Sequence, residues 1–300
     1  MKIFFYIYYI FSKLIFVLLY SLIPKKGGIF RKLRLKLENR IFFSPRIKKV
    51  YPIIPELKGK IEPIRLMTKD FVRIYGWRIN PKVTDTVVIF CHGQSESISK
   101  WQDTALFLEK AGIGALFLSY RGHYRSAGLP SEQGIYTDAE TAIEYLEKQG
   151  IPSENIILWG RSLGSTVACE TALRYKLKAV ILESSICNIK EAAYTITELY
   201  LKIIGLSNLK TILTGLFEKT HFIQKFENDK KIAKIECPIL ILHSKNDVKI
   251  PHSSAEKLHK LNNKACLYLC DEGTHNSNQW CYEKVKEFIK EVNLTQSIKK

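Results

Sequence analysis

The chain has no Cys-x-x-Cys pair. Its seven cysteines (Cys91, Cys169, Cys187, Cys237, Cys266, Cys270 and Cys281) are odd in number and widely spaced, and several sit in apolar, strand-like runs. That pattern speaks against zinc ligation and a disulfide framework, and suits reduced core thiols in a reducing compartment. Acidic residues are nearly missing from one stretch: residues 25–49 hold ten Lys or Arg and the single acid Glu38, a net of +9. With Lys2 and Lys13 contributing +2, only +6 of the overall +17 is left for the remaining 251 residues. So balanced a body offers no basic groove, and a nucleic-acid partner is not expected. Also missing is an A-x-A-like cleavage site, and Lys2 alone precedes the apolar N-terminal run. A cleaved signal peptide is therefore disfavoured.

What is present begins with that run. Residues 3–23 are apolar apart from Ser12 and Lys13 in the middle and Ser21 near the end, long enough at about 1.5 Å per residue to cross a bilayer as one helix. Lys13 is costly there unless its side chain snorkels. Lys25, Lys26, Arg31, Lys32, Arg34 and Lys36 follow at once. The positive-inside rule then puts the rest of the chain in the cytoplasm, as a single-pass membrane protein. Ile29, Leu33, Leu37 and Ile41 recur every four residues between basic ones. This predicts a helix on an anionic membrane surface, with a solvated basic linker as the competing reading.

With 46% apolar residues, the remainder has ample material for one large domain rather than a disordered chain. Strands are predicted at 61–67, 71–79, 86–90, 114–118, 155–159, 179–182, 238–242 and 265–269. Helices are predicted at 99–111, 134–149, after residue 164, at 254–261 and at 279–292. This alternation predicts an α/β fold with a mostly parallel central sheet covered on both faces. Three parts follow: an anchor (1–24), a basic juxtamembrane segment (25–56) and the main domain (57–295). Residues 186–235 break the rhythm with many apolar residues and no clear strand. They read as a lid over a pocket or as an extra helix pair packed on the core.

Gly160-Arg161-Ser162-Leu163-Gly164 stands between a predicted strand and a predicted helix. In that context G-x-S-x-G is a nucleophile elbow. Its turn is too sharp for flanking side chains, hence the glycines, and the helix start aims backbone N–H groups at the reacting carbon. A serine nucleophile needs a base and an acid to orient it. On a parallel sheet both should lie past strand ends, in the order Ser, acid, His. Asp247 and His275 meet that order. Glu183, ending its own strand, is the rival acid. Asp271 lies too close to His275 in sequence, and His92, His123, His243 and His252 are less well placed. For the oxyanion hole, Leu163 N–H is one donor, and Gln94, or less favourably Ser95, is the other, after the turn at His92-Gly93.

These residues carry a resemblance. Residues 60–290 resemble the α/β-hydrolase superfamily. Within it, Tyr120-Arg121-Gly122 with Ser126, Gly128, Pro130-Ser131-Glu132 and Asp138 is similar to the membrane-anchored α/β-hydrolase-domain branch, which includes depalmitoylases and bacterial relatives. So are Gly160–Ser165 and the N-terminal anchor. The resemblance implies an α/β-hydrolase fold and hydrolysis of an ester or thioester without metal or organic cofactor. Two positions depart from the branch: Ser244 where glycine is usual, and Ser119 where aspartate is frequent. The expected protein is a membrane-anchored serine hydrolase acting on a lipid-like or acylated substrate. A peptidase on short peptides and a catalytically silent membrane scaffold are the alternatives.

Overall fold

The computed structural model describes residues 20, 23–24, 27–43, 50–94, 96–203, 205–277 and 279–298. Eight strands form one sheet: β1 (Glu62–Met67), β2 (Arg73–Ile79), β3 (Val87–Cys91), β4 (Gly114–Ser119), β5 (Ile156–Arg161), β6 (Ala179–Glu183), β7 (Ile239–Ser244) and β8 (Cys266–Cys270). Their order is β1-β2-β4-β3-β5-β6-β7-β8. β1 and β2 run antiparallel to their neighbours, and the six from β4 to β8 run parallel. Each predicted strand is present to within two residues at either end.

Eight helices are described: α1 (Gly28–Phe42), α2 (Gln102–Lys110), α3 (Glu132–Lys148), α4 (Gly164–Ala172), α5 (Ile189–Ile203), α6 (Lys210–Lys219), α7 (Ser253–Leu261) and α8 (Tyr282–Ile298). Alternate strand residues feed two cores. Ile89, Leu158 and Ile241 pack with Ile135 of α3, Val167 of α4 and Leu258 of α7. Phe90, Trp159 and Leu242 pack with Leu108 of α2 and Val285 and Phe288 of α8. Central strands buried on both faces explain the uninterrupted apolar runs in the sequence.

The register brings the carboxyl ends of the parallel strands level. Cys91 lies opposite Gly160, Arg161 opposite Glu183, and Ser244 opposite Cys270. The chain leaves β3 toward β4 on one side and resumes as β5 on the other. The loops after β3 and β5 therefore flank a crevice at the switch point, where open α/β sheets bind ligands.

In the insertion, α5 and α6 form a helix pair, and side chains from both line a cavity. The basic segment forms α1, but its faces are divided. Ile29, Phe30 and Leu33 are exposed, whereas Arg34, Glu38 and Phe42 are buried and Leu37 and Ile41 pack on the core. Glu38 accepts the backbone N–H groups of Ile223 and Gln224 at 2.7 and 2.8 Å and bonds Tyr20. Phe42 and Phe222 rings meet edge-on at 5.1 Å. So the second half of α1 is docked on the end of the insertion. Of the predicted membrane span 3–23, residues 3–19, 21 and 22 lie outside the described residues. Among the described residues no helix is long and apolar enough to cross a membrane.

The Tyr120–Asp138 motif turns out to be scaffolding. Arg121 pairs with Asp138 at 2.9 Å and with Asp70 at 2.6 Å. Ser131 caps α3 through the Gly134 N–H at 3.1 Å, and Glu132 accepts the N–H groups of Lys225 and Phe226, fastening the end of the insertion.

Candidate active site

Ser162 sits at the β5–α4 turn with φ +52°, a conformation costly for a residue with a Cβ. Its N–H donates to the Glu183 carbonyl at 2.8 Å, and its own carbonyl accepts the Ser165 hydroxyl at 2.6 Å. The flanking glycines are sterically required. A Cβ on Gly160 would fall 2.4 Å from the Gly164 carbonyl oxygen, and one on Gly164 would fall 2.0 Å from that of Cys91. Gly93 is also tight, a Cβ there lying 3.2 Å from that of Ser162. The loop after β3 and the elbow thus leave no room for a side chain at Gly93.

Asp247 follows β7 and His275 follows β8. The His275 Nδ1–H donates to Asp247 Oδ2 at 2.7 Å. Asp247 Oδ1 accepts the N–H groups of Lys249 and Ile250 at 3.0 and 2.9 Å, which fixes the carboxylate plane. His243 Nε2 lies 3.5 Å from Oδ2, though its closer partner is the Ile250 carbonyl at 2.9 Å. Burial would raise the Asp247 pKa, but hydrogen bonds from the two histidines outweigh it and hold the group well below the carboxylate range. Burial pushes the His275 imidazole below its usual pKa. Asp247 offsets part of that, and Arg161 and Lys249 add to it. The neutral imidazole is therefore the ready state at pH 7.

The structure joins His275 to Asp247 directly and sets Ser162 on the same sheet edge. No hydrogen bond between His275 and Ser162 is present among the described contacts. The rival acids are engaged elsewhere. Glu183 accepts from Trp159 Nε1 at 2.9 Å and Arg161 Nε at 3.1 Å, and exposed Asp271 pairs with Lys245 at 3.1 Å. Gln94 and Leu163 both line the cavity that Ser162 faces. The Gln94 amide donates to the Ile41 carbonyl at 2.6 Å, tying the loop after β3 to the end of α1. Ser95 lies outside the described residues. His92 is fully buried, with Nδ1 2.8 Å from the Gly93 carbonyl and its pKa pushed down to about 3 by burial and then by His123.

Ser244, the departure in the acid loop, donates to the Gly273 carbonyl at 3.1 Å and accepts the Asn246 N–H at 3.2 Å. It bridges the acid and histidine loops rather than distorting them. Ser119, the last residue of β4, donates to the His123 carbonyl at 3.2 Å, inside the turn.

One group was not foreseen from the sequence. Glu96 accepts Gly93 N–H at 2.9 Å and Trp101 Nε1 at 3.1 Å, and pairs with Lys100 at 2.7 Å and Arg161 at 3.0 Å. Arg161, 1% exposed, also pairs with Glu183 and lies over the Trp101 ring at 4.4 Å. Burial would raise the Glu96 pKa, but Arg161 and Lys100 bring it down to about 2. One buried carboxylate thus laces the loop after β3 to the elbow. The available signal was Arg161 itself: a charge between a buried strand and an elbow demands a buried partner.

The cavity below Ser162 has about 670 Å³ of space between its atoms, its open mouth included. Its walls are Ile41 and Phe42 from α1, Ile189, Ala192 and Ile196 from α5, Phe217 from α6, and Phe222 and Ile250. These are apolar, and Gln94 and Thr197 add polar side chains to the lining beside Ser162.

The family model described as "Hydrolase_4: Serine aminopeptidase, S33" matches residues 82–234. This chain belongs to that family of α/β hydrolases. Among curated relatives, the Arabidopsis thaliana α/β-hydrolase domain-containing protein WAV2 is 29% identical over 216 residues, 69% of this chain and 68% of that protein. The human α/β-hydrolase domain-containing protein 17B is 27% identical over 225 residues, 72% of this chain and 71% of that one. The α/β hydrolase therefore falls in the domain-containing branch. Its fold is shared with an esterase from Pyrococcus furiosus (19% identity, TM-score 0.66, 81% of this chain and 94% of that one). An α/β hydrolase from Vibrio vulnificus shares it too (22% identity, TM-score 0.66, 89% and 95%).

Proposed function

We propose that this α/β hydrolase is a serine hydrolase that cleaves acyl esters or thioesters through an acyl-Ser162 intermediate. The observation that carries the reading is the 2.7 Å bond from His275 to Asp247, made at the edge where a strained serine opens onto an apolar cavity. Asp247 holds the proton on Nδ1, leaving Nε2 as the base. Nε2 must come within about 3 Å of the Ser162 hydroxyl to take its proton, a contact that often tightens only when substrate binds. Ser162 Oγ attacks the carbonyl carbon, and the oxyanion is bound by the N–H groups of Leu163 and Gln94. Collapse expels the leaving group, which takes the proton from Nε2. Water then attacks the acyl-serine, giving one proton to His275; as Ser162 regains that proton the carboxylic acid leaves and ionises in solvent.

The cavity supports an acyl chain as the group retained on the serine. Turnover of p-nitrophenyl esters from acetyl to dodecanoyl tests this. A rise in kcat/KM with chain length is expected, and a clear preference for acetyl would remove the support for an acyl pocket. The wording of the family model favours peptidase chemistry as a second reading. A panel of aminoacyl amides cleaved faster than esters would establish it.

The same proposal includes the membrane. Residues 3–23 anchor the chain in a bilayer, with the hydrolase domain on the cytoplasmic side. Exposed Ile29, Phe30 and Leu33 beside exposed Arg31, Lys32 and Lys36 support a basic, partly inserted face on α1. Flotation with anionic but not neutral vesicles, after removal of residues 1–24, tests that face.

A further inference from the structure

We propose that Lys249 makes this enzyme select acyl substrates whose leaving group carries a negative charge. The inference deepens the serine-hydrolase reading and rests on it.

Substrate orientation comes first. The apolar cavity lies to one side of Ser162, enclosed by α5, α6 and Phe222, and neither His275, Lys249 nor Asn276 lines it. The acyl chain belongs in that cavity. His275 must hand its proton to the departing atom, so the leaving group lies on the histidine side. Lys249 stands there. Its backbone N–H is fixed on Asp247 Oδ1 at 3.0 Å, and its ammonium donates to the Asn276 amide oxygen, next along the chain from His275, at 3.1 Å. The side chain thus spans from the acid loop to the histidine loop.

Charge bookkeeping then singles it out. The cations around it are matched: Lys100 to Glu96 at 2.7 Å, Arg161 to Glu96 and Glu183 at 3.0 and 3.1 Å, and Lys245 to Asp271 at 3.1 Å. Lys249 is in no carboxylate ion pair among the described residues. It is half-buried, and burial followed by repulsion from Lys100 and Arg161 lowers its pKa, with Glu96 and Asp247 compensating in part. A partly desolvated ammonium held by a neutral amide gains more from an arriving anion than a solvated or paired one does. A phosphate or carboxylate a few bonds beyond the scissile atom would fill that place.

The test uses soluble hexanoyl esters, so that vesicle binding by α1 does not enter. One pair is the ester of 4-hydroxybenzoate and that of neutral 4-hydroxybenzamide. A second pair is the ester of 4-hydroxyphenyl phosphate and that of 4-methoxyphenol. The full chain should prefer the anionic member of a pair by about tenfold in kcat/KM, as one partly buried charge pair allows. Lys249→Gln should remove most of that ratio and Lys249→Glu should invert it. Lys245→Gln, which deletes an equal charge on the same loop, should leave it standing. Loss of the ratio in either pair supports the proposal, and the pair with the larger loss identifies the anion. A ratio unchanged in Lys249→Gln, or lost equally in Lys245→Gln, overturns it. Ser162 labelling by a fluorophosphonate in the same preparations separates the two failures. Intact labelling with an unchanged ratio removes only the role of Lys249, whereas absent labelling and turnover removes the serine-hydrolase reading.

Discussion

Replacing Asp247 with asparagine probes the relay with little change of shape. Oδ1 accepts two backbone N–H groups at 3.0 and 2.9 Å, and the asparagine carbonyl can keep both. The side-chain NH2 then faces His275 Nδ1, where a 2.7 Å acceptor stood before. Two donors cannot share that line, so the imidazole must move its proton to Nε2. Nε2 then carries a hydrogen and can no longer take one. Loss of the correct tautomer costs about 10⁴ in kcat in a Ser-His-Asp protease, which is about 5 kcal/mol of barrier at 1.36 kcal/mol per decade. The assay is kcat on p-nitrophenyl hexanoate, with circular dichroism and a melting curve as fold controls. The expected result is a loss near four orders of magnitude with an unchanged spectrum. Turnover within tenfold of the parent refutes the reasoning. So does an equal, fold-preserving collapse in Glu183→Gln, which would transfer the acid role to Glu183.

Other outcomes follow from the same geometry. His275 lies below its ordinary pKa because it is buried, so the acid limb of kcat/KM should fall below pH ~6.5. The base is lost only as pH drops through that lowered value; a limb centred above 7 contradicts the assignment. Asp247→Asn also removes the interaction that raises the His275 pKa, so its residual activity should show the limb still lower. In Glu96→Ala the buried Arg161 loses one of its two carboxylate partners and Gly93 its tether. A fall of about tenfold to a hundredfold in kcat is expected with KM little changed, together with a lower melting temperature. An unaltered kcat would mean that Glu96 serves stability alone.

Much of this arrangement was legible in the sequence because buried parallel strands leave an unambiguous mark. Ile156–Trp159, Ala179–Leu182 and Ile239–Leu242 are apolar on both faces, so their ends, and the residues just past them, could be located. The elbow was legible for a steric reason: a Cβ on Gly164 would stand 2.0 Å from a carbonyl oxygen. The Glu96 hub was not, because its partner Arg161, on the elbow strand, meets it only through side-chain packing across the crevice. Nor was the docking of α1. Its four-residue period marked Leu37 and Ile41 as apolar, but the partners are Phe222 and the N–H groups of Ile223 and Gln224, nearly two hundred residues on. Glu38, the one acid in a basic stretch, was the overlooked clue, since a lone buried carboxylate needs donors.

The most direct measurement is the mass of the tryptic peptide containing Ser162 after reaction with a fluorophosphonate. The account predicts a single phosphonyl adduct on Ser162, formed rapidly, lost in Ser162→Ala and slowed greatly in His275→Ala. An adduct on another serine, or none on a folded protein that still hydrolyses esters, would contradict it.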